Sequence, residues 1–375
     1  MRIALFTPFS PAIGGGATLL KSLLPELSEF EIQWYYLDKG ETGSRASNCL
    51  GTRLMGGPLL QDAVRSGSLW IGRSSREVER IARSMSADLY WVVAAGEGVL
   101  VGLSLAASGK RVHVTVHDDP VSLFSRSNRY RHLVPFMSKA FARLLKVATS
   151  VDVVSEGMRE FYEQRAGIKP LVFFRYVKQL PKLITAGNPR DDVLLVGHIG
   201  TVYREREFRR FVEALRAYGA KVGKSVRILK IGRSREFEKV QADHGDIIDD
   251  RGDVCESTAI EYLAQCDFLY AMYPQGSRFE VFRKTSMPTK VTTYIQAQRP
   301  ILVHAPDDSG LSQVVRKYGL GAVCSSLEQD KIIEAIDECR RANLSWERYE
   351  DARSGLLGVA QVKALRDSLR SVISA

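Results

Sequence analysis

Residues 194–208 read LLVGHIGTVYREREF, an apolar run that ends at a glycine turn and passes into a charged segment. An apolar run of this length before a glycine predicts a buried strand, and the charged segment predicts the helix that follows it. The same alternation continues through the second half of the chain. Further strands are predicted at 226–231, 268–273 and 300–304, and helices are predicted to begin near Arg206, Ser257 and Pro288. Strands that alternate with helices in this way predict a parallel sheet with helices on both faces.

The first half of the chain has the same order of elements. Strands are predicted at 2–8, 89–95 and 112–116, and helices at 17–27 and 99–107. Residues 180–192, LPKLITAGNPRDD, predict a linker, because two prolines and a glycine interrupt the alternation there. At about 150 residues per domain, a chain of 375 residues fits two Rossmann-like domains, 1–182 and 193–355, facing a central cleft. A ligand is expected there, at the carboxyl ends of the strands, and an amphipathic helix in 356–375 is expected to pack back on the first domain.

Composition narrows the class of protein. The 45% of hydrophobic residues excludes disorder, and the net charge of +10 favours anionic partners such as phosphorylated small molecules or anionic lipid. No recognition motif for nucleic acid accompanies this charge, so we expect no nucleic-acid partner. Five cysteines without a CxxC pair, and a first segment without the apolar stretch of a signal peptide, predict a cytoplasmic protein. The apolar run 89–109 is interrupted by Glu97, which predicts a strand, a turn and a helix instead of a membrane span.

Two motifs of the first domain follow predicted strands. Gly14, Gly15 and Gly16 precede a helix, where backbone N–H groups and the helix start can contact a phosphate. The alternative is a plain tight turn, since neither the dinucleotide nor the P-loop glycine pattern is present. His117 and Asp118 follow the strand at 112–116, at the edge where parallel strands meet a ligand. The alternatives are a packed histidine and an aspartate that caps the next helix; with no third ligand for His113 and His117, we predict no metal.

Two basic motifs belong to the second domain. Residues 286–290, SMPTK, are predicted to open a helix with Ser286 as its cap and Pro288 in its first turn. Hydroxyl groups, Lys290 and a helix start in one place predict an anion site. Arg204 and Arg206, after the glycine turn, form a second basic cluster. The alternative for both motifs is an ordinary helix with solvated charges, shared in the second case with neighbouring glutamates.

The stretch 120–151 is basic and contains no acidic residue. Its six lysines and arginines alternate with aromatic and aliphatic residues. This pattern suits peripheral contact with an anionic membrane, here the inner face of the cell membrane, and it equally suits a packed helix with a solvated basic face. Both interpretations stay open from the sequence.

Taken in order, these segments resemble the GT-B glycosyltransferases, in particular glycosyltransferase family 4, over nearly the whole chain. The resemblance is carried by the glycine cluster, the strand that ends in His117 and Asp118, residues 194–208, RILKIGR at 227–233, YLAQCDFLYAMYP at 262–274 and SMPTKVTTYIQAQRPILV at 286–303. It implies transfer of a sugar from a nucleotide-diphosphate sugar, held by the second domain, to a cell-envelope or polysaccharide acceptor, saccharide or lipid-linked, held by the first. It also implies retention of anomeric configuration and no cofactor.

The resemblance also implies roles for individual residues. His117, Asp118, Arg206 and Lys290 are expected to act in catalysis, His117 at the transferred sugar and the two basic residues at the diphosphate. The expected donor-binding residues are Gly15, Gly16, Gly200, Thr201, Arg204, Gly232, Ser286, Pro288, Thr289 and Thr293. Thr201 stands where the family has an arginine, and Arg204 can substitute for it.

One departure from the family pattern concerns two glutamates that many members carry eight positions apart. Thr285 and Thr293 occupy these positions. Two other functions therefore stay open beside the transferase: a GT-B sugar-nucleotide epimerase and a catalytically inactive GT-B scaffold that binds a partner.

Overall fold

Two parallel sheets organise the chain, which a computed structural model describes for residues 1–12, 15–38, 48–53, 75–182 and 191–374. Residues 1–176 and 358–375 form the first unit, and residues 177–357 form the second. The predicted linker at 180–192 falls largely outside the described residues, because 183–190 are not among them.

The first unit contains a seven-stranded sheet in the order β3-β2-β1-β4-β5-β6-β7, with every neighbouring pair parallel. Its strands are β1 (Arg2–Thr7), β2 (Glu31–Asp38), β3 (Cys49–Thr52), β4 (Leu89–Val93), β5 (Val112–Val116), β6 (Ser150–Val153) and β7 (Leu171–Val172). Every residue of β4 and β5 is buried, as expected for central strands covered on both faces. The strands predicted at 2–8, 89–95 and 112–116 are confirmed.

Seven described helices belong to this unit. They are α1 (Gly15–Leu23), α2 (Ser75–Arg83), α3 (Glu97–Ala107), α4 (Pro120–Arg126), α5 (Val134–Val147), α6 (Glu156–Ala166) and α15 (Val359–Ser374). The apolar run 89–109 is β4 and α3, joined by a turn at Gly96, as predicted. Within the part of the chain that the structure describes, no helix combines the length and the apolar character needed to cross a membrane.

The last helix, α15, completes the core of the first unit. Val362, Leu365, Leu369 and Val372 lie in one buried cluster with residues of β1, β4 and α1. Arg366 donates a hydrogen bond to the Glu26 carbonyl at 2.6 Å. One face of the first sheet is therefore covered partly by residues that follow the whole second unit in sequence.

The second unit contains a six-stranded parallel sheet in the order β10-β9-β8-β11-β12-β13. Its strands are β8 (Val193–Ile199), β9 (Ser225–Ile231), β10 (Ile248–Asp250), β11 (Phe268–Met272), β12 (Ile301–His304) and β13 (Gly321–Cys324). Its helices are α7 (Glu205–Val222), α8 (Arg235–His244), α9 (Glu256–Ala264), α10 (Glu280–Thr285), α11 (Lys290–Ala297), α12 (Gly310–Tyr318), α13 (Gln329–Arg341) and α14 (Trp346–Leu357). The strands predicted at 226–231, 268–273 and 300–304 are confirmed.

Strand order reverses once in each sheet, beside β1 and β4 in the first and beside β8 and β11 in the second. Ligands of open parallel sheets bind outside the carboxyl ends of the strands at such a reversal. The loops that follow these strands are therefore where a site is expected in each unit.

Candidate functional site

In the first unit, Gly16 and His117 meet at the carboxyl edge of the sheet. Gly16 lies in the first turn of α1, and His117 directly follows β5. A Cβ atom added at Gly16 would lie 2.9 Å from His117 Nδ1 and 2.8 Å from Phe9 Cζ. Only a residue without a side chain fits between these two rings, so packing requires a glycine at position 16. Gly15 is the first residue of α1, and Gly14 lies outside the described residues.

His117 and Asp118 both have shifted pKa values. Burial lowers the pKa of His117 to about 4, against the opposing effect of the Asp152 charge, so the ring is neutral at physiological pH. Burial raises the pKa of Asp118 to about 6. The helix-capping aspartate is the next one, Asp119, which accepts hydrogen bonds from Ser122 N at 2.5 Å and from the Tyr162 hydroxyl at 2.8 Å. A neutral imidazole and a carboxyl group near its titration range can both exchange hydrogen bonds with sugar hydroxyls.

In the second unit, two glycine turns lie side by side at the carboxyl ends of β8 and β9. Gly200 and Gly232 have φ of +76° and +83°, a left-handed conformation that favours glycine. The Gly200 N–H donates to the Ile231 carbonyl at 2.8 Å, and a Cβ at Gly232 would lie 3.4 Å from Gly200 N. The buried ring of His198 faces the Gly200 carbonyl at 3.2 Å. These contacts fix the backbone around Thr201.

Lys290 is a buried amine beside this turn. Its Nζ donates to the Thr201 carbonyl at 2.8 Å and lies 5.8 Å from the centre of the Tyr203 ring. The side chain is 7% exposed, and burial lowers its pKa to about 7. Among the described residues, no carboxylate forms an ion pair with Lys290. Because buried cations are normally paired, this arrangement favours an anionic ligand.

The start of α11 differs from the prediction. The helix begins at Lys290 with Thr289 as its N-cap residue, so the predictions that Ser286 caps it and that Pro288 lies in its first turn were wrong. Ser286 instead ends α10, donates to the Phe282 carbonyl at 2.7 Å and contacts the Tyr273 hydroxyl at 3.0 Å. The sequence signal misleads here because a short helix, α10, ends at the residue that looks like a cap.

The remaining predicted residues of this segment are mostly enclosed. Pro288 and Thr293 are buried, and Thr289 is half-buried. The N–H groups of Val291 and Thr292 bond back to the carbonyls of Pro288 and Thr289, so these two groups are not open to a ligand. Thr285 is buried, and its hydroxyl donates to the Val281 carbonyl at 2.6 Å. At the two positions where the family pattern has glutamates, this chain therefore offers hydroxyl groups.

Arg204 and Arg206 line a groove of about 610 Å³ together with Tyr203. Arg204 lies over the Phe279 ring at 5.5 Å, while Arg206 is exposed in the first turn of α7. Tyr203 is thus shared between this groove and Lys290. The structure brings Thr201 and Lys290 into direct contact, whereas it places Arg206 outside the buried part of the site.

Sequence reasoning missed three buried acidic residues. Glu207, which only the alternative interpretation placed, on a solvated helix face, is 4% exposed and accepts a hydrogen bond from Gln275 N at 3.3 Å. Glu97 is fully buried after β4, with its carboxylate 3.9 Å from Arg53 Nη2. Asp152 is buried on β6, next to β5. The sequence did offer a signal for two of these residues. Glu97 lies between two glycines, and Asp152 lies within an apolar run.

The five cysteines are free thiols, and Cys255 is the exposed one. Hydrogen bonds from Ser257 and Thr258 lower its pKa to about 7. In the described ranges, no group of three or more His, Cys, Asp or Glu side chains could hold a metal ion.

Two Rossmann-like sheets with these strand orders, matched along their full length by solved glycosyltransferases, define the GT-B fold. The lipopolysaccharide outer core galactosyltransferase WaaB, in its apo form, matches with a TM-score of 0.65 and 14% identity, covering 99% of each chain. Sucrose-phosphate synthase from Thermosynechococcus elongatus matches with a TM-score of 0.64 and 15% identity, over 100% of this chain and 99% of its own.

A third match is the E. coli trehalose-6-phosphate protein bound with UDP-2-fluoro glucose. Its TM-score is 0.66 at 10% identity, over 100% of this chain and 99% of its own. No model of a protein family and no curated protein sequence matches the chain. At these identities the likeness establishes the fold, and the predicted GT-B architecture is confirmed.

Proposed function

We propose that this protein is a glycosyltransferase that moves a sugar from a nucleotide-diphosphate sugar to a cell-envelope or polysaccharide acceptor. The GT-B fold supports the proposal, because WaaB is a galactosyltransferase and the E. coli protein of the same fold binds UDP-2-fluoro glucose. The observation that carries it is Lys290, a buried cation without an anionic partner among the described residues, beside the two glycine turns of the second unit.

A diphosphate fits this environment physically. The amine of Lys290 already lies against the Thr201 carbonyl, and the α11 start adds partial positive charge. A bound diphosphate would supply the negative charge that the buried amine lacks and would raise its pKa. Arg204 and Arg206, in the groove that shares Tyr203, are proposed to contact the outer part of the same donor.

His117 is proposed to contact the transferred sugar, with Asp118 beside it. When the bond between the anomeric carbon and the diphosphate breaks, positive charge develops on the sugar and negative charge on the leaving group. The acceptor oxygen then bonds to the anomeric carbon, and its proton passes to the released diphosphate. Loss of one preorganised charge-stabilising donor costs about 3 kcal/mol of transition-state stabilisation. We propose a retaining transfer in which basic side chains, without a metal ion, stabilise the leaving group.

Ligand-dependent thermal unfolding tests the donor site. UDP, GDP, ADP and their sugars are added to the wild type, because a ligand that binds the native state raises the unfolding temperature. We expect one nucleotide series to stabilise the wild type and to lose this effect in Lys290→Ala. Lys284→Ala is the matched control, since Lys284 lies on neighbouring α10, is half-exposed and is paired with Glu280. If no nucleotide stabilises the wild type, the donor site is wrong.

Product analysis distinguishes the transferase from the epimerase and from the inactive scaffold. A transferase releases nucleotide from the preferred donor, and the release increases with an acceptor. An epimerase instead returns an intact donor with an altered sugar. A scaffold does neither, so donor hydrolysis that Lys290→Ala abolishes would exclude it.

A basic stripe on α5 supports contact with an anionic membrane as part of this function. Lys139, Arg143 and Lys146 are exposed at helical spacing, while Met137, Phe141 and Leu144 face the core. We propose that the stripe brings the enzyme to a lipid-linked acceptor through anionic headgroups. Sedimentation with phosphatidylglycerol vesicles tests this, with phosphatidylcholine vesicles as the control. Replacement of the three basic residues by Gln should abolish binding; unchanged binding would contradict the proposal.

A further inference from the structure

A cavity of about 830 Å³ lies among three helices of the first unit. Its lining residues belong to α2, α3 and α5 and to the segments 85–90 and 108–110. Helix α3 lies between the other two helices, since it packs against both of them. Pockets of roughly 300–1,000 Å³ with mainly apolar walls are typical binding sites for small molecules. This space, called the α3 cavity below, is therefore large enough for a ligand of its own.

The face of α3 that lines the cavity is apolar. Leu100, Leu103 and Ala107 line it and follow one another at helical spacing, so they share one face of the helix. The two leucines are half-buried and Ala107 is exposed, whereas Val101 and Leu105 are buried. A helix that covers a sheet needs one apolar face for that contact, and α3 has a second one. The second face offers the cavity an apolar surface.

Basic side chains predominate among the charged residues of the cavity. The described lining residues include Arg83, Lys110 and Arg143, all exposed, and one carboxylate, that of Glu79. This carboxylate is already engaged, because Arg83 Nη2 lies 3.2 Å from it. Lys110 and Arg143 thus find no further carboxylate among these lining residues. An apolar surface beside two cations is complementary to an amphiphile with an anionic head.

The α3 cavity lies apart from the proposed sugar-transfer site. Met85 precedes β4 and Lys110 precedes β5, so this end of the cavity lies at the amino ends of the strands. His117, in contrast, follows the carboxyl end of β5. Arg143 belongs both to the cavity and to the basic stripe on α5 that is proposed to contact the membrane. The ligand that fits this place is therefore a lipid of the membrane and not the acceptor of the reaction.

We propose that the α3 cavity binds one acyl chain of an anionic membrane phospholipid. The chain lies against Leu100, Leu103 and the half-buried ring of Phe136. The phosphate lies beside Lys110 and Arg143. Stable attachment to a membrane takes two signals, and a bound chain adds an apolar signal to the electrostatic one of the stripe. The inference goes beyond the proposed function, because this binding requires neither nucleotide nor sugar.

Calorimetric titration of the full chain with monomeric dodecanoyl lysophosphatidylglycerol tests the site, at concentrations below those at which this lipid forms micelles. We expect saturable binding of one lipid per chain. Lysophosphatidylcholine of the same chain length, which has no net charge, should bind more weakly, and glycerol 3-phosphate, which has no chain, should not bind. Equal affinity for the two lysolipids, or no binding to the wild type, would overturn the inference.

A cavity-filling variant tests the position of the chain. Ser104 is half-buried on the lining face of α3, so Ser104→Trp places a large ring in the cavity. Affinity should fall by more than about tenfold, since displacing even two CH₂ groups has that effect. Ala142→Trp is the matched control, because Ala142 is exposed on α5 and is not a lining residue. Wild-type affinity in Ser104→Trp would contradict the proposal.

A charge variant tests the position of the phosphate. Replacement of both Lys110 and Arg143 by Gln should weaken binding by roughly 25-fold, at ~fivefold for each basic residue near an anionic lipid. Replacement of Lys139 and Lys146 by Gln is the control, because it removes the same charge from exposed positions of α5 that do not line the cavity. Equal losses in the two double variants would overturn the inference.

Three further outcomes are decisive. Should Ser104→Trp not fold, Leu103→Gln removes part of the apolar face, and unchanged affinity in it overturns the inference. A wild-type dimer in sedimentation velocity that Ser104→Trp dissociates and the lipid leaves intact would assign the cavity to a second copy of the chain, which also overturns it. Nucleotide-dependent unfolding is measured on the same preparations: lipid binding without nucleotide stabilisation contradicts the proposed function and leaves the lipid site standing, and the reverse pattern contradicts the lipid site alone.

Discussion

Two physical effects disfavour a positive charge on the Lys290 side chain. Burial removes water from the ammonium group, and the start of α11 adds partial positive charge of its own. Anions, not cations, are stabilising at helix N-termini. A residue that lowers stability in the free protein and completes an anion site in the bound one is typical of functional positions.

Replacement of Lys290 by Met is therefore expected to separate stability from binding. The variant removes a buried charge while keeping most of the side-chain volume, so the free energy of unfolding at neutral pH should rise, on the order of 1–2 kcal/mol. Stabilisation by the preferred nucleotide should disappear at the same time. Thermal unfolding with and without nucleotide measures both effects, and Lys284→Met is the control. A destabilised variant that still binds nucleotide would contradict the assignment.

The same residue predicts a pH dependence with a definite sign. Because burial lowers the pKa of Lys290 from 10.5 to about 7, the unfolded chain binds a proton that the native protein lacks between these values. The free energy of unfolding therefore rises with pH between about 7 and 10.5, as far as Lys290 contributes to it. Nucleotide affinity should fall from about pH 7 to 9, above the second phosphate pKa of about 6, as the amine loses its charge. Calorimetric titration measures this fall; Lys290→Met should show no such dependence.

At the scale of single elements, the first turn of α1 has its place because Gly16 has no side chain. A Cβ atom at Gly16 would overlap the rings of His117 and Phe9, so Gly16→Ala must displace at least one of them. Misplacing a group by about 1 Å can cost about 100-fold in rate. We expect kcat to fall by about that factor while nucleotide binding to the second unit is retained.

Gly245→Ala is the matched control for this variant. Its added Cβ would meet no atom within 4 Å, and its φ of −61° suits any residue. It should be neutral or slightly stabilising. If Gly16→Ala has wild-type turnover, the contact between α1 and His117 is not functional.

The helices and strands were predictable from the sequence, because each depends mainly on the residue pattern within its own segment. Strands such as β4 and β11 are continuous apolar runs, a pattern that burial between two helical layers produces directly. The error at Ser286 has a different origin, because a serine ending one helix and a serine capping the next look alike when the two helices are only a few residues apart. The burial of Glu207 was missed because it depends on a loop contact from Gln275, far away in sequence.

At the scale of the whole molecule, each unit brings together residues distant in sequence. The contact of Lys290 with Thr201 spans 89 residues, and Asp152 on β6 bonds to Thr115 and His113 on β5. The sequence could indicate which residues end their strands, but it could not indicate that Arg206 would be exposed while Lys290 is enclosed. Such differences depend on packing between elements, which a periodic pattern does not encode.

The position of α15 in the first unit makes a prediction about which part of the protein a mutation weakens. Leu365→Ala removes a fully buried side chain from the cluster with β1 and β4, at a cost of about 3 kcal/mol. Hydrogen exchange should show faster exchange in β1 and β4 and unchanged protection in β8 and β11. Lys363→Ala, at an exposed position of the same helix, should change neither. Faster exchange confined to the second unit would contradict this assignment.

The same arrangement has a consequence for synthesis on the ribosome. Residues 177–357, which form the second unit, emerge before 359–374 and can complete their own sheet while translation continues. The face of the first sheet that α15 covers stays bare over this whole interval, because its last apolar layer has not yet been made. The nascent chain thus exposes a hydrophobic surface for the time needed to add about 180 amino acids, roughly 10–40 s at usual elongation rates. Chaperones that shield emerging polypeptides are therefore expected to engage the first half of this protein longer than the second.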